Sequence, residues 1–252
     1  MLTVGVDLAA EPAQTAVAWV EWRGGRAVVR DVVPGADDDV VLAAIGAADK
    51  AGVDCPLGWP DAFVDFVAAH RAGRVTVPGG GSGRDWRRRL ALRLTDLAVQ
   101  EQTGLRPLSV SADRIGYVAM RCAALLARLA QDGQPVDRGG SGVVAEVYPA
   151  ASLKAWGLPY RRYKGRDDAG ALGELVDQLL AKAPWLDCGR AEALCRGSHD
   201  VTDALIAALT ARAASLHLTR PPTAGQARAA ATEGWVAIPA QASLARLPGP
   251  AS

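Results

Sequence analysis

The sequence has little of what a metal site built on sulfur or imidazole requires. It contains four cysteines and three histidines in 252 residues, and the cysteines stand at 55, 122, 188 and 195 without a CxxC pair. A zinc site is therefore not expected. No apolar run reaches the length of a membrane span, and no charged segment followed by an apolar one precedes the first strand. We expect a cytoplasmic protein with reduced thiols and no membrane contact.

The chain also lacks an excess of charge of either sign. Its 28 basic and 27 acidic residues give a formal net charge of +1, so no global field draws it to nucleic acid, and a polyanion site must be local. Two local clusters are present. The first consists of Arg84, Arg87, Arg88, Arg89 and Arg93, and the second of Lys154, Arg161, Arg162, Lys164 and Arg166, interleaved with Tyr160 and Tyr163. Each cluster fits either phosphate binding or an ordinary solvated surface.

The pattern of apolar residues predicts an α/β protein. Residues 4–10, 14–22 and 26–33 indicate an antiparallel meander, and residues 52–56 and 142–149 indicate two parallel strands. Helices are predicted at 37–50, 60–73, 111–132, 169–182 and 198–218. With the strand order 3-2-1-4-5, these elements give a ribonuclease H-like fold: a mixed five-stranded sheet flanked by helices, with helical insertions, over residues 1–218.

Two further segments stand outside this pattern. Residues 79–83 are Gly-Gly-Gly-Ser-Gly but lack the Lys and hydroxyl of a phosphate-binding P-loop, so a mobile linker or lid is expected. Residues 219–252 are rich in Ala and Pro and form a C-terminal extension. Within it, residues 235–238 are predicted to add an edge strand or a packing segment.

Isolated carboxylates interrupt the apolar strands. Asp7 lies on the first strand, Asp54 on the fourth and Glu146 on the fifth, while Asp200 and Asp203 share one face at the start of the last helix. Burying an unpaired carboxylate costs several kcal/mol, so such positions need an explanation. Asp200 also fits a simple partner of the helix dipole. In the predicted sheet the acids converge, which requires cations, and oxygen ligands favour Mg²⁺ or Mn²⁺.

Five short motifs follow one another along the chain: Gly5-Val6-Asp7, Val53-Asp54-Cys55-Pro56-Leu57-Gly58, Arg93-Leu94-Thr95-Asp96, Glu146-Val147-Tyr148-Pro149 and His199-Asp200-Val201-Thr202-Asp203-Ala204. Together they resemble the family called domain of unknown function 429, whose members are described as predicted nucleases with a ribonuclease H fold. The resemblance covers about residues 2 to 216. It implies that fold and a suspected nuclease activity.

The leading hypothesis is a metal-dependent nuclease or phosphodiesterase. Asp7, Asp54 and either Asp200 or Asp203 are expected to hold two Mg²⁺ or Mn²⁺ ions about 3.5–4 Å apart. Glu146 is expected to be a further ligand or to orient the attacking water.

Cations and aromatic residues are expected to contact the substrate. Arg93 and Lys164 would bind phosphates, Asp96 would orient Arg93 by a charge-assisted hydrogen bond, and Tyr160 would stack. His199 fits either a proton donor to the leaving group or a surface histidine at the start of a helix.

Two other functions stay open. The chain could be a non-catalytic nucleic-acid or ligand-binding module on the same fold. An ATP-dependent phosphotransferase is the weaker alternative, because such enzymes use two copies of this fold and only one strand meander is visible. A small or single-stranded nucleic acid is the favoured substrate, and the oligomeric state is left open.

Overall fold

The computed structural model describes residues 1–76, 83–165 and 169–249. Residues 79–82 of the predicted glycine-rich loop, and Arg166 of the second basic cluster, lie outside the described residues. Within the described ranges, no helix combines the length and the apolar character needed to cross a membrane.

Six strands form one mixed sheet in the described part of the chain: β1 Leu2–Asp7, β2 Ala16–Arg23, β3 Arg26–Pro34, β4 Lys50–Asp54, β5 Val144–Glu146 and β6 Leu186–Asp187. Their order is β5-β4-β1-β2-β3-β6. The first three strands are antiparallel, β4 pairs in parallel with β1, and β5 pairs in parallel with β4. The predicted order of the first five strands is confirmed. The predicted count of five is wrong, because the two-residue β6 adds in parallel to β3.

Ten α-helices surround this sheet in the described ranges: α1 Asp38–Ala47, α2 Asp61–Arg71, α3 Arg84–Ala91, α4 Leu94–Thr103, α5 Gly116–Gln131, α6 Pro149–Ala155, α7 Ala169–Lys182, α8 Ala191–Gly197, α9 His199–Ser215 and α10 Ala227–Glu233. The helix predicted at 111–132 begins later, at Gly116, because a turn precedes it. Ser198 caps α9, as its sequence position suggests, by accepting a hydrogen bond from the Val201 N–H.

The alternation of residues along β1 separates the two faces of the sheet. Val4, Val6 and Leu8 pack in a core cluster with α1 and α5. On the other face, α9 packs against β1, β2 and β4, and its Ala204, Leu205 and Ala208 belong to a second cluster with α7 and α8. The sheet is therefore covered on both faces, as expected for parallel central strands.

Glycine lets α9 lie directly against the sheet. A Cβ atom on Gly5 would come within 1.9 Å of the Ala204 carbonyl oxygen, and one on Gly52 within 2.4 Å of the Ala207 carbonyl oxygen. Neither contact is sterically possible, so both positions require glycine. Because Asp7 lies two residues after Gly5, it shares the face that α9 covers.

The C-terminal extension packs against this unit. Residues 235–238 are buried, and Val236 makes a single parallel bridge with Glu146 at the end of β5. Glu233 accepts backbone hydrogen bonds from Asp61 at 2.9 Å and from Leu94 at 2.7 Å, which joins the first residues of α2 and α4.

Candidate metal centre

Three aspartates meet where β1 and β4 end. Asp7 and Asp54 are directly paired in the parallel register of these strands, so their side chains leave the same face of the sheet. The close packing of α9 adds Asp203 from its second turn. One carboxylate oxygen from each residue lies within 4.8 Å of the other two. We call these residues the aspartate triad.

Burial and mutual repulsion raise the pKa values of the three aspartates in the triad. Burial, together with Asp203 and Asp54, raises the pKa of Asp7 well above its usual value. Burial raises the pKa of Asp54 to about 7, against the opposing effect of Lys164. The pKa of Asp203, whose residue is 0% exposed, is also raised by burial despite its cationic neighbour. The triad thus resists carrying three negative charges without a compensating cation.

Lys164 supplies one positive charge to the triad. Its Nζ forms a salt bridge with Asp203 Oδ2, and its side chain is 50% exposed. Burial lowers the pKa of Lys164, but Asp203 and Asp54 outweigh this effect and the pKa is raised. Asp203 also accepts a hydrogen bond of 2.9 Å from the hydroxyl of Tyr163 at Oδ1. Both oxygens of Asp203 therefore have partners within the protein.

Glu146 does not join the triad. The register pairs it with Val53 and not with Asp54, so its side chain leaves the opposite face of the sheet. There the guanidinium of Arg93 donates two hydrogen bonds to it, at 2.7 and 2.8 Å, and the Leu57 N–H donates a third at 3.0 Å. Its oxygens are therefore held by other donors, and its expected role as a further metal ligand or as the residue that orients the attacking water stays a prediction.

The predicted phosphate contact of Arg93 meets the same difficulty. Besides its two bonds to Glu146, Arg93 donates from Nη2 and Nε to Asp96 at 2.9 and 3.2 Å, and from Nη1 to the Glu233 carbonyl oxygen at 3.1 Å. All five N–H groups of the guanidinium are thus used, and the residue is 3% exposed. The predicted pairing of Asp96 with Arg93 is present, but it stabilises a buried ion pair.

The remaining predicted residues lie around the triad or away from it. His199 Nδ1 is 2.8 Å from Asp200 Oδ1, and Asp200 contributes only a minor upward effect to the pKa of Asp7. The Tyr160 ring lies beside Lys154 and Arg161, with cation-to-centroid distances of 5.0 and 5.1 Å. It is absent from the described residues that line the cavity at the triad.

That cavity, which we call the carboxylate pocket, has a volume of about 280 Å³. Asp7, Asp54, Tyr148 and Lys164 contribute polar groups to its wall, and so does the buried cluster of Arg93, Asp96 and Glu146. Another part of the lining, which we call the apolar wall, consists of Leu8, Pro56, Pro107, Leu108, Ile115 and Val118. Sequence reasoning missed this apolar wall and the contact of Tyr163. The alternation of aromatic and basic residues at 160–164 indicates that a tyrosine could contact the acids, but it does not show which of the two tyrosines does so.

Comparison with known protein families gives one match, which covers most of the chain. The family model described as "protein of unknown function (DUF429)" matches residues 5–226. The chain belongs to the DUF429 family. The matched range includes all three residues of the triad, the ion pair of Arg93 with Glu146, and Lys164. No curated protein and no solved structure matches this DUF429 protein significantly.

Proposed function

We propose that this DUF429 protein is a divalent-metal-dependent phosphodiesterase acting on nucleic acid, built on a ribonuclease H-like fold. The observation that carries the proposal is the aspartate triad, whose carboxylate oxygens lie within 4.8 Å of one another at the ends of two central parallel strands. Ligand sites of open α/β sheets lie at the carboxyl ends of their strands.

The triad fits a hard divalent cation. Mg²⁺ takes oxygen ligands at about 2.0–2.1 Å, so two ligands on opposite sides of the ion are about 4.2 Å apart. Adjacent ligands are closer, about 2.9 Å apart, so the triad oxygens, which lie within 4.8 Å of one another, would draw together by side-chain rotation when an ion binds. The donors are three carboxylates without sulfur or imidazole, which favours Mg²⁺ or Mn²⁺ over zinc. These three ligands support one resident ion, whereas the sequence led us to expect two.

The electrostatics of the triad point in the same direction. Three ionised aspartates beside one lysine leave a local excess of negative charge, and burial raises the pKa of Asp54, so a bound cation would favour the ionised carboxylates. A bound ion of this kind supplies a Lewis acid that polarises the phosphoryl oxygens and activates water.

The chain's own residues would position the substrate around that ion. The ammonium of Lys164 lies at the rim, half exposed, where it can contact a phosphate oxygen. The apolar wall, with Leu108, Ile115 and Val118, belongs to the same pocket as the triad and suits the flat face of a nucleobase. His199, which the sequence leaves open as a proton donor or a surface histidine, lies at the start of α9 with Nδ1 2.8 Å from Asp200 Oδ1.

Calorimetric titration with Mn²⁺, followed by assays on labelled single-stranded and duplex DNA and RNA, tests the proposal. We expect the wild type to bind one ion and to cleave at least one polymer. Asp7→Asn should abolish ion binding and lower cleavage by about 100-fold or more. The matched control is Asp39→Asn, whose side chain is 83% exposed and pairs with Arg128 on the surface.

The apo stability of Asp7→Asn separates a functional acid from a structural one. Burial and the neighbouring acids raise the pKa of Asp7, so replacing this carboxyl group by a neutral amide should leave the metal-free fold equally or more stable. A protein that binds no Mn²⁺, with or without an oligonucleotide, and cleaves nothing would refute the proposal.

A further inference from the structure

A second cavity lies directly beside the carboxylate pocket. It has a volume of about 460 Å³ and is lined by Arg84, Arg88 and Arg106, which we call the arginine groove. The two cavities share Asp96 and Pro107 in their walls, so they are adjacent.

The arginine groove carries a positive charge, and its arginine side chains are exposed to solvent. Arg84 and Arg88 lie one helical turn apart on α3, Arg106 follows α4, and all three are exposed. Asp85 is the acid in the wall that offsets them, because Asp96 is already neutralised by Arg93. Arg88 also donates a hydrogen bond of 3.2 Å to Gln100, which holds it over the groove.

The helices that carry this charge make little contribution to the core. Neither α2 nor α3 has a buried residue among those described. Residues 61–91 carry six arginines and three aspartates, a net charge of +3 in a chain whose total is +1. A local excess of positive charge in a nearly neutral chain is the form that a polyanion site must take here, because the composition allows only a local one.

We propose that this DUF429 protein binds a single-stranded polynucleotide whose backbone runs from the carboxylate pocket into the arginine groove. The inference rests on the proposed function for the position of the reacting phosphate. A mononucleotide would fill the carboxylate pocket and leave the groove unused. At about 280 Å³ the pocket lies at the small end of the range for ligand sites, so it accepts one nucleotide and not a base pair.

The apolar wall and the basic groove lie next to each other, and this arrangement favours a single strand over a duplex. Bases of a single strand can turn toward an apolar wall while their phosphates follow a basic groove. Here Leu108, which is 48% exposed, belongs to the apolar wall, and the neighbouring Pro107 belongs to both cavities.

The test measures binding without hydrolysis. Fluorescence anisotropy with a labelled oligothymidylate or oligouridylate of about 16 nucleotides, in EDTA, compares the wild type with R84Q/R88Q/R106Q. We expect the triple variant to weaken binding about tenfold or more. The slope of log K against log salt should fall by about 2, since each phosphate contact of a single strand contributes about 0.7. R84K/R88K/R106K should keep most of the binding, because the charge remains.

A second triple variant controls for the loss of charge. R23Q/R26Q/R190Q removes three exposed arginines, two of them at the β2–β3 turn, at the end of the sheet opposite Asp7. It should bind the oligonucleotides within about twofold of the wild type. Equal weakening by both glutamine triples, or no binding by the wild type, would overturn the inference.

The two proposals can fail separately. Oligonucleotide binding that depends on the arginine groove, without cleavage of any polymer in Mn²⁺, would refute the phosphodiesterase activity and leave the groove as a binding site. Metal-dependent cleavage with unchanged binding and KM in R84Q/R88Q/R106Q would leave the activity standing and refute the groove.

Discussion

Arg93 and Glu146 form a bidentate ion pair inside the protein, with two hydrogen bonds of 2.7 and 2.8 Å and side chains no more than 4% exposed. The pair joins the end of β5 to the first turn of α4. Asp96, the backbone N–H of Leu57 and the Glu233 carbonyl oxygen complete its hydrogen bonding. Both residues of the pair line the carboxylate pocket, and their mutual hydrogen bonds stabilise the architecture around it.

We expect Glu146→Gln to destabilise the protein by about 3 kcal/mol, because it leaves the buried guanidinium of Arg93 with one anionic partner instead of two. Urea unfolding measures this change. The matched control is Glu21→Gln, which breaks a surface pair with the 60% exposed Arg30 and should cost less than about 1 kcal/mol.

The same variant distinguishes an ion pair from a metal ligand. If Glu146 only supports the fold, the Mn²⁺ affinity of the folded Glu146→Gln protein should stay within a few-fold of the wild type. Unchanged stability together with a loss of Mn²⁺ binding would restore the ligand role that the sequence predicts for it.

Periodicity could predict much of the fold. The alternation of Val4, Gly5, Val6 and Asp7 already indicates which face of β1 is apolar and which carries the acid, and the strand order around it follows. Asp54 and Asp203 could be selected because each is an acid in a strongly apolar context. The two-residue β6 was beyond such reasoning, because its pairing with β3 depends on tertiary packing and leaves no periodic signal.

The register in which β5 pairs with β4 could not be predicted from the sequence, and this register decides which face of the sheet carries Glu146. A shift of one residue in a parallel pair moves a side chain to the other face of the sheet. Val53 and not Asp54 opposes Glu146, and no local pattern in residues 142–149 fixes that choice. The contact of Lys164 with Asp203 was equally hidden, since it joins an irregular segment to a helix almost 40 residues later.

The stability of the metal-free protein should fall as pH rises from about 4 to 7. Burial raises the pKa of Asp54 to about 7 from its ordinary value of 3.8, so the folded state holds a proton that the unfolded state has released. The free energy of unfolding then decreases with pH through this interval and levels above it. Asp54→Asn should remove this part of the slope.

Urea unfolding in EDTA across this pH range provides the measurement, and Asp39→Asn again serves as the exposed control. The stability advantage of Asp54→Asn over the wild type should grow from pH 4 to 7 and then stay constant. Parallel pH profiles for the two proteins would show that Asp54 titrates as an ordinary surface acid. Added Mn²⁺ should stabilise the wild type most above pH 7, where protons no longer compete for the carboxylate.

The ammonium of Lys164 and a divalent cation act on the same three carboxylates, so each should weaken the binding of the other. Lys164→Met should therefore raise Mn²⁺ affinity at pH 8 by about tenfold, the effect of removing one nearby charge at the protein surface. Polymer cleavage should fall by about tenfold or more, because the ammonium group that contacts the phosphate is lost.

Lys164→Arg keeps the charge, and its Mn²⁺ affinity should stay near that of the wild type. Lys154→Met removes a lysine that lies over the Tyr160 ring and should change neither quantity. Weaker Mn²⁺ binding in Lys164→Met would mean that the lysine organises the triad for the ion instead of competing with it.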